Sequence, residues 1–203
     1  FSIVDMIVVG QVVGSSGLSA VSTASHIVTF MTMLCLGFAT GGQVYIAQII
    51  GADKKEDLNK AIGTLFTFTI ILAVIMTTIG LTLARPILSL MKTPPEAMDD
   101  AVKYLLICSG GVIFTFGYNC VSAVLRGMGN STQPFVYILI AAIVNILLDL
   151  LFVLHLDMGV AGAAWATIIG QGVSFIISII YLFIKRAQFG FDFRPRSFIP
   201  DKQ

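Results

Sequence analysis

Five stretches of this chain, residues 6–52, 61–84, 104–125, 127–148 and 158–184, contain no Asp, Glu, Lys or Arg. Most of them exceed the roughly 20 residues with which a helix crosses a bilayer. One such run fits a buried helix of a soluble protein; five do not, so lipid is the solvent for most of the chain. Composition agrees, with 57% hydrophobic residues, 11% charged and a mean hydropathy of +0.94, where a soluble domain carries charge on about a quarter of its residues. Apolar and polar residues do not alternate at the roughly ten-residue period of an outer-membrane barrel, which leaves helices to satisfy the backbone in lipid. The fold class is therefore all-α, a polytopic membrane protein.

Turn-forming residues divide the chain into six helical segments: a remnant at about 1–13, then about 19–50, 60–90, 99–125, 134–155 and 160–185. The connections are short and rich in turn formers: Gly14-Ser-Ser-Gly17, Gly51-Ala-Asp-Lys-Lys-Glu-Asp57, Lys92-Thr-Pro-Pro-Glu96, Arg126-Gly-Met-Gly-Asn-Ser-Thr-Gln-Pro134 and Asp157-Met-Gly159. The chain opens at Phe1 with no Met and no charged leader, so its first helix is expected to be cut part-way along, and no signal peptide is read. If the loops alternate sides, nine basic residues (Lys54, Lys55, Lys60, Arg126, Lys185, Arg186, Arg194, Arg196, Lys202) face three (Arg85, Lys92, Lys103). The positive-inside rule then puts 51–60, 126–133 and the tail in the cytoplasm. A net charge of +1 gives no reason to expect a nucleic-acid or an acidic partner. Cys35, Cys108 and Cys120 lie inside apolar runs without CxxC spacing and read as small buried hydrophobes.

An acidic side chain within hydrocarbon costs several kcal/mol and is by default an ion or proton site. Asp149, inside Val144-Asn-Ile-Leu-Leu-Asp-Leu-Leu-Phe-Val-Leu154, fits that description best, with Asn145 one turn earlier on the same face. Asp5, in Ile3-Val-Asp-Met-Ile7, is alike. Asp5 with the turn from Gly14 also resembles Asp149 with the turn from Gly159, as if helices one–two and five–six were similar hairpins. Asp5 precedes Gly14 by nine residues, Asp149 precedes Gly159 by ten and Thr167 follows it by eight. At about 1.5 Å per residue all three lie roughly 12–15 Å below the outer turns. Asp5, Asn145, Asp149 and Thr167 thus converge at one level if helices one, five and six are neighbours. Such oxygen-bearing side chains suit Na⁺ as a hard cation, or a proton shared by two carboxyl groups. The blander readings are that Asn145 and Asp149 only hydrogen-bond neighbouring helices and that Thr167 bonds back to its own helix.

Other polar residues carry weaker expectations. Gln43, Gln48, Asn119 and Gln171 lie within helices and line a cavity or make packing contacts. His26 and His155 are expected near the outer interface. Arg126-Gly-Met-Gly-Asn130 lacks the GxxxxGK[ST] pattern and a preceding strand, so it reads as a helix-connecting turn rather than a phosphate loop. No cofactor is assigned.

The motifs together resemble the multidrug and toxic compound extrusion family: Val4-Asp5 with Val9-Gly10, Gly41-Gly42-Gln43 leading to Ala47-Gln48-Ile-Ile-Gly51-Ala52, the turn Leu125 to Pro134, Asn145-Ile-Leu-Leu-Asp149, and Gly159-Val-Ala-Gly-Ala-Ala-Trp-Ala-Thr167. The resemblance implies twelve transmembrane helices in two six-helix lobes, exporting drug-like, often cationic compounds across the plasma or inner membrane in exchange for Na⁺ or H⁺. This chain matches the first lobe, 1–186, followed by a cytoplasmic inter-lobe linker at 187–203 with Phe189, Phe191 and Phe193 among Arg194 and Arg196. A carboxy-terminal lobe would be its partner, besides membrane lipid and an organic-cation substrate. The family's cation-responsive residues fall on Asp5, Asn145, Asp149 and Thr167. A lipid or lipid-linked sugar flippase of the same superfamily is the nearest alternative. A purely structural scaffold is a third, and a membrane enzyme would need a His cluster, a metal motif or a nucleophile with its base, which the sequence lacks.

Overall fold

The apolar runs fold into seven α-helices, described over residues 2–189 in a computed structural model. They are α1 (Ser2–Val12), α2 (Ser15–Gly51), α3 (Lys55–Leu90), α4 (Pro95–Gly110), α5 (Val112–Gly127), α6 (Thr132–Asp149) and α7 (Gly159–Phe189). A π-helical turn, Leu150–His155, continues α6. Residues 190–203, which hold most of the expected linker including Phe191, Phe193, Arg194, Arg196 and Lys202, lie outside the described residues.

By length and composition α2, α3, α6 with its π turn, and α7 each suffice to cross a membrane. The fourth expected span differs from its sequence reading. It starts at Pro95, where the ring sits in the first helical turn and needs no donor, and it bends by 47° between α4 and α5. The bend falls at Gly110-Gly111, and a Cβ on Gly111 would lie 2.5 Å from the Ile168 side chain. The missing side chain is what lets this corner press against α7. With α1, whose eleven residues cover about 16 Å, these elements make a six-helix lobe.

The lobe is apolar inside and out, because its outer solvent is lipid. Phe30, Phe135, Leu90 and Ile184 are exposed along the outward faces. The interior forms two storeys. The outer one gathers Val9, Val21, Tyr104, Leu105, Val153 and Ala163 from α1, α2, α4, the π turn and α7. The inner one, toward the 126–133 loop, gathers Ile46, Ile62, Tyr118, Val121, Leu125, Tyr137 and Leu182. Cys35, Cys108 and Cys120 are buried free thiols within them. Threonine hydroxyls are kept from lipid locally: those of Thr32, Thr67, Thr69, Thr78 and Thr82 donate to the carbonyl four residues earlier in their own helices.

Helix contact depends on glycine where α2 meets α5. A Cβ on Gly127 would lie 2.8 Å from the Gln43 carbonyl oxygen and 2.9 Å from the Ile46 side chain. Gly127→Ala is therefore expected to destabilise the purified protein by about 1–3 kcal/mol, read as a lower melting temperature. Gly37 has nothing within 4 Å of its would-be Cβ, so Gly37→Ala is expected to leave the melting temperature unchanged or raise it, in line with the helix preference of about 1 kcal/mol for Ala over Gly. Equal losses from both would show that helix spacing does not limit stability here.

Candidate functional site

Two outer turns set the position of α1. Gly14 and Gly159 both have positive φ, +83° and +55°, a backbone conformation that costs glycine little. A Cβ on Gly159 would meet Val13 at 3.5 Å, so the turns at the ends of α1 and α6 lie side by side. From this shared edge α1 descends against α2, α6, the π turn and α7. Its buried face carries Asp5, Val8 and Val9, at the i, i+3, i+4 spacing of one helical side.

That face brings four elements together around one carboxylate. The Thr167 Oγ1 hydroxyl donates to Asp5 Oδ2 at 2.8 Å, and Tyr104 OH donates to the same oxygen at 3.2 Å. Behind them Asn145 Nδ2 donates to Thr167 Oγ1 at 3.3 Å, and Ser25 Oγ donates to Tyr104 OH at 3.5 Å. Two donor arms, Asn145–Thr167 from α6 and α7 and Ser25–Tyr104 from α2 and α4, therefore end on one oxygen of Asp5. Thr167 does not bond back to its own helix, unlike the threonines above.

Asp149 has no such support. It is fully buried at the end of α6, within side-chain reach of Asp5, and neither of its oxygens has a donor. Asp5 Oδ1 and Asn145 Oδ1 are also without a donor. Among the described residues, four acceptor oxygens thus lie in one buried place with two carboxyl groups and no cationic side chain bonded to them. Leaving a carboxylate buried and unpaired costs several kcal/mol. The set fits a hard monovalent cation, which takes oxygen ligands, or one proton held between Asp5 and Asp149 as an O–H donor to its neighbour. It does not fit an organic molecule, because Asp5, Asn145 and Asp149 are all fully buried. Larger open space lies elsewhere, as in a groove of about 560 Å³ between α2 and α3 beside Phe38, Tyr45, Lys60 and Phe68.

The structure thus gathers Asp5, Asn145, Asp149 and Thr167, and adds Tyr104 and Ser25, which carry no mark in the sequence that would single them out. The residues expected to line a cavity are dispersed. Gln43 is half-buried and accepts from Arg126 Nε at 2.9 Å, Asn119 donates to its own helix at the Thr115 carbonyl, Gln48 is exposed and Gln171 half-buried. His26 and His155 are exposed and stand apart from the donor arms. Asp149 is also the last residue before the π turn, in which Leu156 N–H donates to the Leu151 carbonyl, a departure from α geometry often found at functional positions.

Known proteins share this fold. The MatE family model matches residues 1–151. Among curated relatives, "Probable multidrug resistance protein YpnP" of Bacillus subtilis (strain 168) is 32% identical over 182 residues, 90% of this chain and 41% of the relative. A solved inward-facing conformation of a multidrug resistance MATE family transporter superposes with a TM-score of 0.90 at 26% identity, covering 99% of this chain and 46% of that one. An outward-facing conformation of such a transporter superposes at 0.87 and 28%, covering 98% and 44%. The chain spans somewhat under half the length of these relatives.

The two carboxylates predict opposite responses to substitution. Asp149→Asn removes one buried charge and turns an N–H donor toward Asp5, so the melting temperature is expected to rise, by the equivalent of about 1–3 kcal/mol. Tyr104→Phe takes a donor from Asp5 and is expected to lower stability by a similar amount. Thermal unfolding in detergent reads both; destabilisation by Asp149→Asn would mean that Asp149 already has a partner it needs.

Proposed function

The chain belongs to the MatE family, and on that premise we propose that it is the first six-helix lobe of a two-lobe secondary exporter of drug-like, often cationic organic compounds, driven by inward movement of Na⁺ or H⁺. The observation that carries this is the buried pair Asp5–Asp149, where four acceptor oxygens have no donor. No structural need explains two carboxylates there, since a hydroxyl or an amide would tie the helices at lower cost.

The coupling follows from charge. With both carboxylates ionised, α1 is repelled from the end of α6; with one proton or one cation between them, α1 is drawn against α6, the π turn and α7. The ion therefore prefers one arrangement of α1, and a substrate that prefers the other is expelled as the ion binds. The likeness of this lobe to both inward- and outward-facing relatives supports a lobe that moves mainly as one body about a second lobe, with α1 as its ion-sensitive edge. Residues 187–203 would link the lobes on the cytoplasmic side, and bacterial relatives make the plasma membrane the expected location. The flippase alternative has no observation in its favour.

The test is export of ethidium from proteoliposomes that hold the two-lobe protein, with a Na⁺ or a pH gradient imposed separately. One gradient is expected to drive export, and Asp149→Asn to reduce the driven component by a factor on the order of 10–100. Export that ignores both gradients, or that survives the loss of Asp149, would remove the coupling role.

A further inference from the structure

Beyond the oxygens of the carboxylate site, the buried side-chain atoms without a partner among the described residues are the hydroxyls of Ser109, Ser122, Tyr137 and Ser174. Three of the four lie in the inner storey, between the carboxylates and the cytoplasmic end. Ser174 lies on a polar line along α7, in which Ser178 Oγ donates to the Phe175 carbonyl at 2.8 Å. On α7 the residues Thr167, Gln171, Ser174, Ser178 and Tyr181 recur at steps of four and three, which keeps them on one side of the helix. The line runs from the Asp5 ligand to the inner end over about 21 Å, with about 4.5–6 Å of rise between stations.

α6 lies antiparallel along the same line. Asn145 bonds Thr167, and a Cβ on Gly170 would meet the Ala141 carbonyl at 3.0 Å and Asn145 at 3.3 Å. Continuing that register one turn inward on each helix sets Ser174 level with Tyr137. The Tyr137 ring packs edge-on against Tyr181 with centroids 5.9 Å apart, and Tyr118 is its other titratable neighbour. Tyr118 donates to the Pro134 carbonyl at 2.7 Å and neighbours Ser122 and Arg126. Asn130, in the loop at the inner end, donates to Tyr181 OH at 3.0 Å. The polar line thus reaches the surface at the 126–133 loop. At the opposite end the Val13 and Gly159 turns lie side by side.

We propose that this seam between α6 and α7 is the path by which the lobe releases protons to the cytoplasm, making H⁺ the coupling ion. A proton leaves the carboxyl group shared by Asp5 and Asp149, passes along water and the hydroxyls of Ser174 and Tyr137, and is delivered to solvent beside Asn130. Each hydroxyl accepts one proton on its oxygen as it hands on its own, so the path is unchanged after the transfer and the carboxylate pair regains its negative charge. Buried hydroxyls left without partners in a membrane interior are groups that ordered water serves. Packing alone would be met by Ala and Phe at these positions. The proposal rests on the reading of Asp5–Asp149 as the coupling site.

The experiment compares the two-lobe protein carrying Tyr137→Phe with Ser174→Ala, a pair that removes two hydroxyls and little volume, against wild type, Asp149→Asn and Ser109→Ala. Ethidium export under an imposed pH gradient is timed in H₂O and D₂O, and the pH dependence of ethidium binding at equilibrium is measured separately. The double variant is expected to export roughly tenfold more slowly with a larger solvent isotope effect, while its equilibrium pH dependence matches wild type because the carboxylates are intact. Ser109→Ala, which removes a buried hydroxyl off the line, is expected to behave as wild type. A double variant as fast as wild type overturns the path, as does equal slowing by Ser109→Ala or wild-type export driven by Na⁺ alone. If the double variant is normal while Asp149→Asn loses both rate and pH dependence, the path falls and the coupling site stands; if Asp149→Asn keeps both, the coupling site itself falls.

Discussion

Two carboxyl groups share one buried place in this lobe, and among the described residues donors reach only one of them. Thr167 and Tyr104 both converge on Asp5 Oδ2, whereas Asp149 has neither oxygen served. In lipid such an imbalance is not relieved by solvent, and the surrounding structure is arranged so that it persists. The Gly14 and Gly159 turns hold α1 beside α6, and α2, α4, α6 and α7 supply the donor arms. Elsewhere the chain removes polar groups from lipid cheaply, by turning threonine hydroxyls back on their own helices. The carboxylate site is where that economy is suspended.

The energies involved are of the size that a conformational switch needs. Two like charges in contact repel by about 4 kcal/mol at an effective dielectric constant of about 20, and a charge-assisted hydrogen bond contributes about 1.5–3 kcal/mol. Exchanging the repulsion for the bond is therefore worth roughly the 5.5 kcal/mol that shifts a two-state equilibrium from about 1:99 to 99:1. On the proposed reading, uptake of a single ion suffices without rearrangement of the inner storey. Among its described residues α1 has its neighbours in α2, α6, the π turn and α7 and contributes nothing to the inner storey.

Much of this was legible in the amino-acid sequence for physical reasons. Charge-free runs and their turn residues mark the spans because lipid penalises every exposed charge, and counting residues from Gly14 and Gly159 gives depth because a helix rises by a constant amount. Asn145 and Asp149 share a face by the helical period alone. What the sequence does not display are contacts between helices far apart in the chain. Tyr104 meets Asp5 across 99 residues, and a tyrosine inside an apolar run reads equally well as core. The bend at Gly111 depends on Ile168 pressing from α7, and the π turn after Asp149 depends on backbone bonding slipping to the fifth neighbour, as from Leu156 N–H to the Leu151 carbonyl, which no residue type dictates.

The π turn makes sense of the position of Asp149. An α-helix that continued without interruption would present successive residues at a fixed rotation, so any movement of the carboxylate would have to carry the outer end of the helix and its turn with it. A wider turn beginning at Leu150 leaves fewer bonds resisting rotation at that point. Asp149 can then respond to the charge on Asp5 while the Gly159 turn, packed beside Val13, stays fixed. On the proposed reading the buried charge and the π turn after it act as parts of one device, the charge supplying the signal and the turn the place where the helix yields to it.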